Sequence, residues 1–392
     1  MPTTRRIFQA GFLALTLVGV FVIAGNAERW CPFGGVEALY TYLGEGDMVC
    51  SLAVTNFFVL GGLLLVTLLL RRGFCSYVCP IGTITEWLGK LAVKLGIKPR
   101  NVPQVAENLL GLLKYGVLAL ILYVTWTAGE LHFRVADPCY ALISRHGEDI
   151  TFWAYVVSGA ILIGAFFLSV PFCRWLCPLA AVMNPLSRFG LMRIKRDEEI
   201  CLDCGKCEKA CPMNIPLANV REVKAARCTS CQTCISSCPT KGASALYWGI
   251  PGRSTRRWSQ TAAAIVLLGT MVSIVGASQL FPLPSFIKKR GEEPAVTETV
   301  DLRIKGITCR GSSNLFTFFL FRDDVFSVPG YLRIEAWPGQ GYAPVKVHYD
   351  PEVANPELIK EAIVTPYFDE FQGYDRMSPF EIEGYAPWGD GG

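Results

Sequence analysis

Cys201-Leu202-Asp203-Cys204-Gly205-Lys206-Cys207-Glu208-Lys209-Ala210-Cys211-Pro212 and Cys228-Thr229-Ser230-Cys231-Gln232-Thr233-Cys234-Ile235-Ser236-Ser237-Cys238-Pro239 are two copies of one pattern, C-x2-C-x2-C-x3-C-P. Each copy gathers three thiols at short intervals and places a fourth directly ahead of a proline. Free cysteines pack as small apolar groups, but packing sets no such period. Structural zinc also uses C-x2-C pairs. It needs only four thiolates per ion, and it explains neither the three-plus-one grouping nor the trailing prolines.

The spacing is that of bacterial ferredoxins with two [4Fe–4S] clusters, where three thiolates cap one face of a cubane and the fourth comes from the other repeat. On that rule cluster I takes Cys201, Cys204, Cys207 and Cys238, and cluster II takes Cys228, Cys231, Cys234 and Cys211. The expected chemistry is electron transfer.

A mean hydropathy of +0.34, with 51% hydrophobic and only 18% charged residues, lies outside the soluble norm. Five apolar runs account for it: Ile7–Gly25, Leu52–Leu70, Leu109–Ala128, Phe152–Val170 and Gln260–Leu280. Each is close to the roughly 20 residues that span a bilayer. Only Lys114, near the start of the third, puts a charge within them. The net charge of +4 is too small to suggest a nucleic-acid partner. Its distribution follows the positive-inside rule. Arg5 and Arg6 precede the first run; Arg71, Arg72, Lys90, Lys94, Lys98 and Arg100 follow the second; Arg174, Arg188, Arg193, Lys195 and Arg196 follow the fourth. The opposite loops carry only Arg29, Arg134 and Arg145. The expectation is an inner-membrane protein with a cytoplasmic N-terminus, cytoplasmic clusters and an outward C-terminus. Lys288, Lys289 and Arg290 after the fifth run oppose the last point. Thr4-Arg5-Arg6 also has the look of a twin-arginine export signal, but an uncleaved first span suits the later loops better.

The membrane half is duplicated. Cys31-Pro32 follows the first span and Pro138-Cys139 the third, while Cys75-Ser76-Tyr77-Val78-Cys79-Pro80 follows the second and Cys173-Arg174-Trp175-Leu176-Cys177-Pro178 the fourth. Both halves enter the bilayer in the same direction, so the repeats are parallel and the two inner C-x3-C pairs should meet. If each pair lay on one helix, positions i and i+4 would share a face, and Cys75, Cys79, Cys173 and Cys177 together could hold a third cluster. Inert packing is the alternative, and a cytosolic disulfide is disfavoured. Cys31 and Cys139, with Cys50 nearby, are outer thiols for which a disulfide, a metal and packing all stay open.

The two C-x3-C-P motifs followed by the two ferredoxin motifs resemble the membrane polyferredoxins of the NapH, NosR and CcoG type, over about residues 1–250. The resemblance implies electron transfer between cytoplasmic clusters, the membrane and an outer redox protein, with a cytoplasmic donor or acceptor. The direction differs among members. A flavin-attachment domain ahead of the first span is not expected, which separates the chain from a full NosR type.

Residues 283–299, rich in proline and glycine, read as a linker. Beyond it lies an α+β unit, residues 300–392. Strands are expected at Val300–Lys305, Tyr331–Ala336, Pro344–Tyr349 and Phe380–Glu383, with helices at Arg310–Phe321 and Pro356–Ile363, a ferredoxin-like βαββαβ order. Gly306-Ile307-Thr308-Cys309 resembles the loop of heavy-metal-associated domains, but Ser312 stands where the second cysteine belongs.

His132, His146 and His348 are the only histidines, and none lies in a span, which argues against a membrane bis-histidine haem. A hydrocarbon core of about 30 Å is too thick for one efficient electron hop, so a quinone is a candidate carrier. Glu130 and His132 could exchange its protons, although both also suit the polar end of a span. No nucleotide-binding loop or nucleophile–base constellation is present, so an oxidoreductase component is expected rather than a self-contained hydrolase or dehydrogenase. The fold class expected is an α-helical integral membrane protein of five spans with an internal parallel repeat (1–190), an inserted 2[4Fe–4S] ferredoxin domain (191–250), a fifth span (251–282), and a C-terminal α+β ferredoxin-like domain.

Overall fold

The computed structural model describes residues 3–22, 31–45, 55–97, 99–100, 102–128, 137–143, 152–217, 220–240, 245–250, 258–281, 283–284, 286–308, 310–322, 327–339, 341–369, 374–385 and 387. They fall into two units, one of residues 1–37 and 55–278, the other of 38–54 and 279–392.

The first unit opens with helix α1 (Thr3–Leu17), prolonged by a π turn at Val18–Val22, and helix α2 begins at Pro32 and ends at Glu45. By length and composition, three helical stretches could cross a membrane: Thr4–Val22, Gln104–Thr127 and Gln260–Ser278. The second joins α6 (Gln104–Leu110) to α7 (Leu113–Ala128), and the third lies in α13 (Gln260–Leu280).

Helices α3 (Thr55–Leu70) and α9 (Phe152–Phe167) have 16 residues each, about 24 Å at the α-helical rise. Helix α3 ends at Leu70, as its apolar run predicts, while α9 ends at Phe167, three residues before the end of its run, and a backbone break follows each. Arg71 follows α3 at φ 59° and Val170 follows α9 at φ 41°. Left-handed backbone is uncommon for any residue with a Cβ and an outlier for valine. Each break turns the chain out of an apolar helix and into a C-x3-C-P segment.

Those segments are not single helices, which corrects the i, i+4 reading. Cys75 lies in a one-turn helix, α4 (Gly73–Tyr77), and Cys79 is the N-cap of α5 (Pro80–Lys94). Cys173 lies in a π turn, Phe172–Leu176, and Cys177 is the N-cap of α10 (Pro178–Ser187). Proline has no N–H and suits only the first turn of a helix, so Pro80 and Pro178 start new helices. Cys79 and Cys177 have almost the same backbone, φ −61° and ψ 120° against φ −64° and ψ 115°. Short α8 (Pro138–Ile143) precedes α9.

The ferredoxin segment is closed by an antiparallel pair, β1 (Arg193–Arg196) with β2 (Leu246–Gly249). Between them lie the one-turn helices α11 (Lys206–Lys209) and α12 (Thr233–Ser236), preceded by Gly205 and Gln232 in left-handed conformation. Ile194, Met213, Leu246 and Trp248 bury themselves in one core with Val66, Leu70, Tyr77 and Cys173. The ferredoxin loops are therefore built onto the ends of α3 and the two C-x3-C segments.

The second unit is a five-stranded antiparallel sheet in the order β3–β5–β6–β4–β9. The strands are β3 (Phe286–Arg290), β4 (Glu298–Lys305), β5 (Leu332–Ala336), β6 (Tyr342–Tyr349) and β9 (Glu381–Ile382), with a separate hairpin of β7 (Tyr367–Asp369) and β8 (Tyr374–Arg376). Helices α14 (Arg310–Phe321) and α15 (Pro356–Val364) supply Phe316, Phe319 and Ile359 to a core with Leu302, Ile304, Val345 and Val347. The linker reading is corrected at one point: Phe286–Arg290 pairs with β5, and Phe286 is buried in the core. The prolines and glycine that suggested a linker, Pro284 and Gly291, flank this strand and do not interrupt it.

Candidate iron–sulfur centres

Cys201, Cys204, Cys207 and Cys238 line one recess, together with Arg196, Leu202, Asp203, Pro239 and Leu246. Cys211, Cys228, Cys231 and Cys234 line a second, with Ile194, Met213, Ile215, Val223 and Gln232. Leu217 lines both, so the recesses are neighbours. They differ in access. Cys204 is exposed and Leu202 is 68% exposed, whereas Cys228, Cys231 and Cys234 are buried. Burial pushes the Cys211 thiol up to about 12, with Cys231 and Cys228 adding to it. Metal binding at such a site displaces protons.

Cys75, Cys79, Cys173 and Cys177 come together from four elements. Cys173 feels the charge of Cys79, Cys177 and Cys75, and Cys79 feels that of Cys75 and Cys177. Burial raises the Cys79 thiol to about 12 and the Cys177 thiol to about 11. Gly82 makes the close approach feasible: a Cβ there would stand 2.5 Å from the Cys75 carbonyl oxygen.

The cation beside these thiols is Arg72, which is 0% exposed. Its guanidinium donates to Asn184 Oδ1 at 3.2 Å, to the Cys173 carbonyl at 3.2 Å and toward Cys75 Sγ at 3.9 Å. Its Nε has no hydrogen-bond partner among the described residues. Burial pulls its pKa down, but Cys75, Cys177 and Cys173 outweigh that and leave it raised. A buried charge without a counter-charge is expensive, so the site calls for net negative charge. Four thiolates on a cluster supply it.

Several residues that first read as topology charges belong to this centre. Arg5, 1% exposed, donates to the Ser76 carbonyl at 2.9 Å and to Thr233 Oγ1 at 3.3 Å, and it pairs with Glu86. Arg71 donates to the carbonyls of Ser187, Val223 and Ala225 at 3.0, 2.7 and 2.6 Å. Arg174, inside the second C-x3-C, forms a buried pair with Glu107. Ser76 Oγ donates to the Thr229 carbonyl at 2.8 Å, joining the first C-x3-C to the second ferredoxin loop. The one sequence signal for these roles is proximity, since Arg72 precedes Cys75 by three positions and Arg174 follows Cys173 directly.

Cys31 stands apart from the tetrad. Burial raises its thiol to about 12, with Asp137 adding to it, and Asn56 Nδ2 donates to its carbonyl at 3.0 Å. Burial also raises Glu37 to about 8, again with Asp137 contributing. Cys50, Cys309, Glu130, His132 and His146, and the side chain of Cys139, lie outside the described residues. In the second unit Ser312 Oγ accepts from the Thr308 N–H at 2.8 Å. His348 is 2.7 Å from Thr299 Oγ1 in the same unit.

A family model described as a 4Fe–4S binding domain matches residues 52–98 and again 150–197, once around each C-x3-C-P segment. A 4Fe–4S dicluster domain model matches residues 193–239. An uncharacterized protein of Methanocaldococcus jannaschii is 30% identical over 201 residues, 50% of this chain and 72% of its own length. The chain belongs to the ferredoxin-type 4Fe–4S membrane proteins. Two further relatives share the theme. The putative electron transport protein YccM of Escherichia coli is 29% identical over 263 residues, 64% of this chain and 72% of that protein. The ferredoxin-type protein NapH of Haemophilus influenzae is 28% identical over 258 residues, 60% of this chain and 86% of that protein. No solved structure matches. The chain is thus an iron–sulfur, membrane-type electron-transport protein with redox partners.

Proposed function

We propose that this protein relays electrons through three [4Fe–4S] sites, between a cytoplasmic donor or the quinone pool and a redox partner on the outer side. The observation that carries the reading is the buried Arg72 guanidinium beside Cys75, Cys173 and Cys177, with Cys79 coupled to the same thiols. Cluster I would be held by Cys201, Cys204, Cys207 and Cys238, cluster II by Cys211, Cys228, Cys231 and Cys234, in line with how the two recesses divide the thiols. A bound cluster of this kind supplies one-electron transfer. The chain's part is to hold the sites close, and the Ser76–Thr229 hydrogen bond does so between the second recess and the tetrad.

The matching breaks at Arg71 and Val170, and the matching N-caps at Cys79 and Cys177, support a parallel repeat with α3 and α9 as two further spans, five in all. The strand order β9–β4–β6–β5, read with α14 and α15, supports a ferredoxin-like domain at the C-terminus, extended by the edge strand β3. A reporter active only outside the cytoplasm should work when fused after Gly392 and fail when fused after Gly249.

One observation favours an exit through thiols, as a maturation reductase acting on copper or a disulfide would need. Asp137 is an electrostatic neighbour of both Cys177 and Cys31, so the tetrad and the Cys31 thiol flank one carboxylate. Replacing Cys31 and Cys139 with Ser should abolish transfer to copper(I)-forming or disulfide acceptors and leave the iron content intact.

Anaerobic redox titration followed by electron paramagnetic resonance tests the relay itself, with a reduced ferredoxin and a quinol as competing donors. At least one donor should reduce signals assigned to the ferredoxin cysteines and, with them, a signal lost when Cys75 is replaced. A protein whose clusters accept electrons from neither would sink the relay.

A further inference from the structure

Arg71 and Arg72 are adjacent in sequence but serve different sites. Arg71 is the larger of the two cationic influences on Cys228, with a smaller one from Arg72. It is 0% exposed and among the described residues donates to backbone carbonyls, including those of Val223 and Ala225 just ahead of Cys228. Arg72 turns to Cys75, Cys173 and Cys177 of the tetrad. What separates the two side chains is the left-handed backbone at Arg71, φ 59°. Such a conformation is unfavourable for a residue with a Cβ and persists where the surroundings demand it, often at functional sites.

The first recess also holds a guanidinium, Arg196, which is hydrogen-bonded to Cys201, but its charge is offset by the pair with Asp203 at 2.6 Å, and Glu208 adds negative charge beside Cys207. Around the tetrad Lys114 joins Arg72, the Arg174–Glu107 pair is neutral, and Asp137 opposes them at Cys177. Positive charge therefore rises from the exposed recess toward the membrane. Burial alone would work the other way, because it disfavours the more negative, reduced state. A fixed guanidinium in a low-dielectric site opposes that effect.

We propose that Arg71 and Arg72 are a paired counter-charge that raises the reduction potential of cluster II and of the tetrad respectively, so that electrons entering at cluster I run inward. The Arg72 half rests on the three-cluster reading above; the Arg71 half needs only the ferredoxin motif. Each transfer moves one electron from a reduced cluster to the next oxidised one. The electron is first supplied by a low-potential one-electron donor of the ferredoxin class and finally taken up by a quinone or an outer redox protein.

The test is potentiometric titration of the full-length, iron-loaded protein, with each signal read by electron paramagnetic resonance. In the wild type, cluster I should have the lowest midpoint. Arg71→Gln should lower the cluster II midpoint, and Arg72→Gln the tetrad midpoint, by at least a tenfold change in the reduction equilibrium, about 59 mV for one electron. The other sites should move less. Arg71→Lys and Arg72→Lys keep the charge and should stay near wild type. Asn184→Asp should reproduce Arg72→Gln, since it keeps the acceptor at 3.2 Å and adds a cancelling charge. It remains decisive if a Gln variant fails to assemble. Equal shifts in the Lys and Gln variants, shifts at the wrong site, or a cluster I midpoint above the other two would overturn the proposal. A wild type with about eight irons and no third signal would remove the tetrad reading and the Arg72 half with it, and Arg71→Gln would still decide the other half.

Discussion

The two sets of thiols in the first unit are organised in opposite ways. The ferredoxin cysteines come from one continuous segment, Cys201–Cys238, and line recesses whose walls are largely apolar. The tetrad comes from two segments almost a hundred positions apart and encloses a guanidinium. A local loop can shape itself around a cluster through spacing alone. A site assembled from helix ends needs the whole bundle in register, together with a buried charge that is satisfied only when the site carries negative charge. The difference predicts that the tetrad is the fragile centre and the ferredoxin pair the robust one.

The largest break in that comparison should come from Glu107→Gln. It leaves Arg174 buried without its counter-charge, beside Cys173. Breaking a buried pair on one side costs about 3–5 kcal/mol. Thermal unfolding of the first unit should fall accordingly, with tetrad iron lost before the ferredoxin iron. Equal loss from all sites would show that the tetrad is no more fragile than the rest.

Gly82→Ala is the next strongest probe. Its new Cβ would meet the Cys75 carbonyl at 2.5 Å, and overpacking of this kind costs about 1–3 kcal/mol. Iron at the tetrad should drop while the resonance of the ferredoxin clusters persists. An unchanged iron content would mean that Cys75 is not held by this contact.

Thiol reactivity separates the two sets in the iron-free chain. Burial pushes Cys79 and Cys177 up to about 12 and 11, above the ordinary range of a thiol, so both are protonated at neutral pH. Alkylation at pH 8 should be at least about tenfold slower there than at the exposed Cys204, because only the thiolate attacks. The rate should rise with pH until it passes 11. Equal rates at pH 8 would contradict the burial of the tetrad.

How much of this was legible in the sequence depends on how local each feature is. The ferredoxin motifs needed only spacing, and the C-terminal helix Arg310–Phe321 and strand Pro344–Tyr349, which the structure extends to Tyr342, follow from alternation and turn residues. The roles of Arg5, Arg71, Arg72 and Arg174 were not legible, because a basic residue beside a span reads first as a topology signal. Their burial appears only when residues distant in sequence meet, as Arg174 does with Glu107 and Arg71 with Val223. The edge strand Phe286–Arg290 was hidden for a similar reason: its partner β5 lies well downstream.

The smallest effect expected is in the second unit, which is remote in sequence from all the cluster thiols. Asn355 caps α15 by accepting from the Leu358 N–H at 2.8 Å. Asn355→Ala should cost about 1 kcal/mol, read as a lower unfolding temperature of that unit, with iron content unchanged. Loss of iron in this variant would show that the second unit supports the clusters.

Anaerobic iron and acid-labile sulfide analysis tests the account most directly. Three clusters predict about twelve of each per chain, falling to about eight when Cys75 and Cys177 are both replaced by Ser. About eight irons in both proteins would contradict a cluster at the tetrad, and zinc in place of iron would contradict the electron-transfer reading altogether.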